Sequence, residues 1–108
     1  MRIQLPAPLE SYFASESGHD TSRIDACFGV NAIVRDEGRT IKGIAEIKAW
    51  RVETGEKYQH SVEPLAVSRR NGKVVVTGKV SGHFPGSPIT LDHIFEIEAG
   101  KIVSLEIR

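Results

Sequence analysis

Leu9, Tyr12 and Phe13 recur at i, i+3 and i+4, the spacing that gathers apolar side chains on one face of a helix. Pro6 and Pro8 fall where a first helical turn tolerates proline, and Gly18 closes the stripe after about Ser17. Thr21 or Ser22 caps a second, shorter helix with Ile24, Cys27 and Phe28 on its apolar side, ending near Gly29. The period then changes to two. Ala32, Val34 and Asp36 share one parity in a strand over 32–36, Glu37-Gly38 reverses the chain, and a second strand covers 39–42. Ile44, Ile47 and Trp50, three apart, mark a third helix over about 43–54, ended by Gly55, with Lys48 and Arg51 on its other faces.

From Tyr58 the pattern is strand-like to the end, in runs at 58–68, 73–84, 89–98 and 101–107. They are separated by Asn71-Gly72, by a Pro-Gly-Ser-Pro loop at 85–88 and by a turn at Gly100. No internal repeat, linker or low-complexity segment interrupts the order α-α-β-β-α-β-β-β-β. The expected fold is therefore α+β: an antiparallel meander in a curved sheet, with three helices packed on one face, in a single domain over 1–108.

Composition narrows the function classes. A chain of 108 residues buries enough surface to fold without a metal or a disulfide. Fourteen Lys and Arg balance fourteen Asp and Glu, so no basic field collects phosphates, and nucleic acid is not an expected partner. Cys27 is the only cysteine, which excludes an intrachain disulfide and a cysteine zinc site and fits a reducing, cytoplasmic setting. No run approaches the ~18 apolar residues of a membrane span, and "MRIQLPAPLE" has neither the apolar core nor the cleavage site of a signal peptide. No membrane association is expected.

Candidate chemistry begins at the end of the first strand. Asp36 has the parity of Ala32 and Val34, so it should point inward, where a drier setting would make its carboxylate a useful base. The competing reading is local: Asp36-Glu37-Gly38 is also a turn, and turn aspartates bond neighbouring amides. Glu37, of opposite parity, should be solvated. The ring of Tyr12 belongs to the core in either case, its hydroxyl meeting a pocket or the backbone. Trp50 is either core or a pocket wall.

His93 shares the parity of Leu91 and Phe95, whereas Asp92, Glu96 and Glu98 take the other, so alternation sends His93 inward and Asp92 outward. His60, in phase with Val62, ranks next, while His83 lies near a loop and His19 near the surface. The three strand histidines lack a metal-ligand spacing, and no metal is expected. Phosphate loop, nucleophile elbow and redox cysteine pair are all missing from the sequence; Cys27 reads as packing, and Arg69-Arg70 as a solvated hairpin tip.

The element order and the stretch "YFASESGHDTSRIDACFGVNAIVRDEG" resemble the nuclear transport factor 2-like superfamily, which includes the ketosteroid isomerases and the SnoaL-like polyketide cyclases. Tyr12, Phe28, Ala32-Ile33-Val34-Arg35-Asp36 and Gly43 carry the resemblance, and "VSGHFPGSPITL" is similar to SnoaL-like proteins. It implies a cone-shaped roll with a hydrophobic small-molecule pocket, and pairing as a homodimer through the outer face of the sheet. It also implies Asp36 as the proton-shuttling base and Tyr12 as donor to an enolate oxygen, with Asp92 in the place of a second donor. The isomerase-like or cyclase-like enzyme so implied needs no cofactor. Asp36, Tyr12 and His93 are the candidate catalytic residues, and Trp50, His60, Phe84, Phe95 and Asp92 the candidate ligand contacts. The alternative on the same fold is a non-catalytic binder of a hydrophobic ligand or a partner segment.

Overall fold

The computed structural model describes residues 5–18, 21–58 and 60–108. Along them run α1 (Ala7–Gly18), α2 (Ser22–Cys27), β1 (Phe28–Asp36), β2 (Arg39–Lys42), α3 (Ile44–Tyr58), β3 (Ser61–Arg70), β4 (Lys73–Ser81), β5 (Ile89–Glu98) and β6 (Lys101–Ile107). The order of elements is the expected one, and the architecture is the expected α+β roll. Three helices pack on a curved, mostly antiparallel sheet of strand order β2-β1-β6-β5-β4-β3.

Local chemistry explains how the chain reverses. Three hairpins close through two-residue turns, Glu37-Gly38, Asn71-Gly72 and Ala99-Gly100, and all six residues have positive φ. That backbone matches the right-handed twist of the flanking strands, so the register is set at the turn. Strands β3 to β6 then follow as a meander. The exception is β1, which lies parallel to β6 because α2 and α3 sit on the sheet's face and bring the first hairpin to its far edge.

Register breaks between Phe28 and Ile33, Pro64 and Ala66, and Glu96 and Ile97 bend the sheet, since an extra residue on one strand sharpens the local twist. Beside the break in β3, Gly78 lets β3 and β5 close up: a Cβ there would meet Val62 Cγ1 at 2.8 Å and His93 Cε1 at 3.3 Å. The concave face holds the core. Leu9, Tyr12 and Phe13 of α1, Ile24 and Cys27 of α2 and Ile47 of α3 pack against Val34, Val76, Phe95 and Leu105 of the sheet. Tyr12 presents its ring edge-on to Phe13, Phe28 and Phe95, at centroid distances of 5.1, 5.9 and 5.4 Å.

Several boundaries differ from the sequence expectation. Phe28 opens β1 rather than closing the second helix, and Thr21 holds the N-cap position without a side-chain cap bond. Gly55 does not stop the third helix, which continues to Tyr58. An interior glycine costs a helix only about 1 kcal/mol, and packing of the flanking turns outweighs it. The next strand therefore starts at Ser61 instead of 58, and β4 ends at Ser81, leaving 82–88 as a loop. Among the described residues no helix is long and apolar enough to cross a membrane.

Candidate functional site

Between α3, the end of β1 and the concave faces of β3 to β5 lies a cavity of about 280 Å³. Asp36 reaches it because β1 alternates faithfully: Ala32 and Val34 are buried, and the next residue of that parity is the half-buried carboxylate at the strand end. Trp50 Nε1–H donates to Asp36 Oδ2 at 3.0 Å, so α3 aims the carboxylate. Asp36 thus belongs to the cavity as well as to the turn. Glu37, expected to be purely solvated, is exposed yet stands at the cavity mouth, because its positive φ swings it back toward the rim.

Three-residue spacing predicts Arg51 on another face of α3, and the structure differs. Arg51 is 0 % exposed and lines the cavity. Residues three apart drift around a helix by about 60°, whereas residues four apart drift by about 40°, so Arg51 is closer in azimuth to Ile47 than Trp50 is. Extending the stripe as 44, 47, 51 and 54 would have found it, at the price of placing a charge in the core.

Arg51 is held from several sides. Its Nη2 donates to the Tyr12 hydroxyl at 3.0 Å, and its Nη1 lies 3.5 Å from Thr54 Oγ1 and 3.4 Å from His60 Nε2. A guanidinium can only donate, so His60 Nε2 accepts and the ring proton sits on Nδ1. The Arg51 Cζ also stands 4.3 Å from the centre of the Trp50 ring and 5.3 Å from that of Tyr12, a cation between two π-faces. Trp50 therefore touches both charged groups, Asp36 through its N–H and Arg51 through its face.

The remaining candidates separate. His93 is 1 % exposed, points inward and lines the cavity, with Phe13 at 5.4 Å ring to ring. His60, Trp50 and Phe84 also form its wall. Tyr12 is 0 % exposed and stands behind Arg51 instead of on the wall. Phe95, expected as a ligand contact, packs wholly within the core against Tyr12 and Phe13. Asp92, expected as a ligand contact from the resemblance, is on the outer face, where Thr77 Oγ1 donates to it at 3.1 Å. Alternation along β5 continues without a break as far as Glu96, and that puts Asp92 outside once His93 is inside. His83 is exposed in the loop, and His19 lies outside the described residues. Among the described residues no three His, Cys, Asp or Glu side chains converge in a group that could hold a metal.

A curved sheet with three helices packed on one face, and a carboxylate at the end of its first strand on the wall of the cavity between them, defines an α+β cone fold. The chain belongs to the SnoaL-like domain family, whose model matches residues 9–105. Among solved structures it is similar to a candidate polyketide cyclase of Sinorhizobium meliloti, at 38 % identity over 96 % of this chain and 95 % of that one, with a TM-score of 0.91. A Catenulispora acidiphila protein with a ketosteroid isomerase-like fold, solved with trimethylamine, shares 18 % identity over 97 % and 86 % of the two chains (TM-score 0.83). An LEH-like epoxide hydrolase of Mycobacterium tuberculosis shares 13 % over 94 % and 79 % (TM-score 0.76). These last two share the fold. No curated protein matches the chain.

Proposed function

We propose that the chain is a small-molecule enzyme in which Asp36 acts as general base, removing a proton from carbon next to a substrate carbonyl in an isomerase-type or cyclase-type reaction. The observation that carries this reading is the half-buried carboxylate on the cavity wall, oriented by the Trp50 N–H at 3.0 Å. As the C–H bond breaks, its proton passes to Asp36 and its electron pair moves into the carbonyl, leaving negative charge on oxygen. In an isomerisation Asp36 returns the proton to a second carbon; in a cyclisation the enolate carbon attacks another carbonyl of the same molecule, whose π electrons move to oxygen, and that alkoxide takes the proton back from Asp36. The 38 % identical relative from Sinorhizobium meliloti supports the second form.

In this reading Arg51 and His93, both on the wall, meet the developing oxyanion, and Tyr12 serves as a positioning residue through its bond to Arg51. A positioned base contributes roughly 10²- to 10⁴-fold, and each donor aimed at the oxyanion about 10²- to 10³-fold. A second reading, a binder without turnover, is favoured by the aliphatic wall of Val62, Val80, Ile89 and Leu91 and by the Tyr12 hydroxyl being behind Arg51.

Deuterium uptake tests the base without knowledge of the final product. One- and two-ring ketones and 1,3-diketones are incubated with the protein in heavy water, and exchange next to the carbonyl is followed by NMR. Wild type is expected to accelerate exchange of at least one compound, and Asp36→Asn to lose roughly 10²- to 10⁴-fold of that rate while keeping its fold. A ligand that binds the cavity and exchanges no faster than in buffer would transfer the case to the binder.

A further inference from the structure

We infer that the cavity is one half of a two-part binding site, whose other half is a groove carrying Arg35, Arg39 and Arg108, and that the ligand joins an apolar body to a tail ending in an oxyanion, a phosphate or a carboxylate. The inference deepens the reading above and rests on it for the cavity being a ligand site, but not for Asp36 being a base.

Strand direction places the groove. β1 and β6 run parallel, with Val34 beside Leu105 and Arg35 beside Glu106, so their C-terminal ends emerge side by side. Where they end, Asp36, Glu37 and Ile107 line both the cavity and a second, open concavity. The two hollows therefore meet along a shared border of three residues. The rest of the groove is Arg35, Gly38, Arg39, Thr40, Glu106 and Arg108.

Chemistry differs on the two sides of that border. Val62, Val80, Phe84 and Leu91 on the cavity wall suit an apolar body. In the rest of the groove no side chain is apolar, and three guanidinium groups stand against the one side-chain carboxylate of Glu106. Each arginine is one step from the border: Arg35 precedes Asp36, Arg39 is the cross-strand partner of Asp36, and Arg108 follows Ile107. Such neighbours lie about 3–6 Å apart, so a linker of a few bonds reaches them from the cavity mouth.

All three arginines are exposed. Arg39 pairs with Glu53 at 2.7 Å and Arg108 with Glu106 at 3.7 Å, and exposed pairs of this kind are weak enough for a better acceptor to displace. A phosphate or carboxylate is such an acceptor, because it takes two parallel N–H bonds from one guanidinium. The border sets the nature of the linker. Asp36 and Glu37 repel an anionic group beside them, so the segment that crosses them is uncharged and donates, as an amide N–H or a hydroxyl does.

Matched probes test the two halves on the intact protein. N-(2-hydroxyethyl)-1-naphthylacetamide supplies the body and an amide linker without charge; its phosphate ester and N-(1-naphthylacetyl)-β-alanine add the two tails, and the phenylacetyl counterparts offer a smaller body. Trp50 is the only tryptophan, so its indole N–H gives one NMR signal, which is expected to move with every probe whose body enters the cavity. By calorimetry the tailed probes should bind at least about tenfold tighter than the hydroxyethyl amide at low salt, an advantage that shrinks as salt is raised. Whichever tail binds tighter separates a phosphate ligand from a carboxylate. Arg35→Ala and Arg39→Ala, both at exposed positions, should each reduce the advantage several-fold and leave the affinity of the hydroxyethyl amide unchanged. An anion held by Arg51 inside the cavity would bind these variants as tightly as it binds wild type, and that result would overturn the inference. Equal binding of tailed and neutral probes while the Trp50 signal moves would overturn it too, and would leave the cavity standing as a ligand site. If no probe moves that signal the inference also falls, and the exchange assay decides separately whether the cavity takes a ketone.

Discussion

At the residue scale, Trp50 couples two charged groups of the cavity, Asp36 and Arg51, and a substitution separates its two contacts. Trp50→Phe keeps an aromatic face under Arg51 but removes the N–H that aims Asp36. A hydrogen bond to a charged acceptor contributes about 1.5–3 kcal/mol, less where it is partly wet. The variant is expected to stay folded, with a small drop in melting temperature, and to lose about tenfold or more in deuterium exchange; an unchanged rate would show that the indole does not position the base. Gly78 is the opposite case, a residue whose importance is the side chain it lacks. Gly78→Ala puts a Cβ 2.8 Å from Val62 and 3.3 Å from His93, and overpacking of this kind costs about 1–3 kcal/mol, readable as a lower urea midpoint at constant slope. Asp36, Trp50, His60 and His93 could be picked from the sequence because period-two and helical spacing report which way a side chain points, whereas Phe84 reaches the wall from the 82–88 loop, where no such period applies. Arg51 could not, since sequence rules send charges outward, and its bonds to Tyr12, Thr54 and His60 together with its stacking on Trp50 reverse that rule here.

At the scale of elements, turn chemistry was the most legible signal and helix ends the least. Glu37-Gly38 and Asn71-Gly72 announce their hairpins, and Gly100 announces a third turn, because positive φ favours so few residues. Ala99 is the anomaly among them: its φ of 51° lies in the left-handed region, where a Cβ is disfavoured. Ala99→Gly is expected to stabilise the protein by roughly 0.5–1 kcal/mol, seen as a rise in melting temperature, with no effect on ligand binding, since the turn is remote from the cavity wall. Helix ends depend on what lies next to them. Arg39 pairs with Glu53 at 2.7 Å and Lys48 with Asp25 at 2.5 Å, tying α3 to β2 and to α2. Such exposed pairs contribute little; burial of Trp50, Arg51 and Thr54 against the sheet is what carries α3 past Gly55 where propensity alone would have ended it.

At the scale of the whole molecule, the buried thiol of Cys27 links the core to pH. Burial pushes it up from 9.0 to about 11, the thiolate being the form that the core disfavours. Its contribution to stability is complete below pH 9 and is lost as pH rises from there through about 11, since the unfolded chain releases the proton first. Urea midpoints should fall over that window more steeply in wild type than in Cys27→Ala, and the native thiol should resist alkylation at pH 8. The sequence by itself determined the α+β order, the three reversals, most of the core and the inward parity of Asp36 and His93. Each of these follows from spacing along one segment. The tertiary structure alone decided that Tyr12 stands behind a buried Arg51, that Phe95 is core, and that the cavity measures about 280 Å³. The reason is physical. Those facts depend on which faces of α1, α3 and β5 meet and how sharply the sheet bends at its register breaks, and neither is a property of any one stretch of chain.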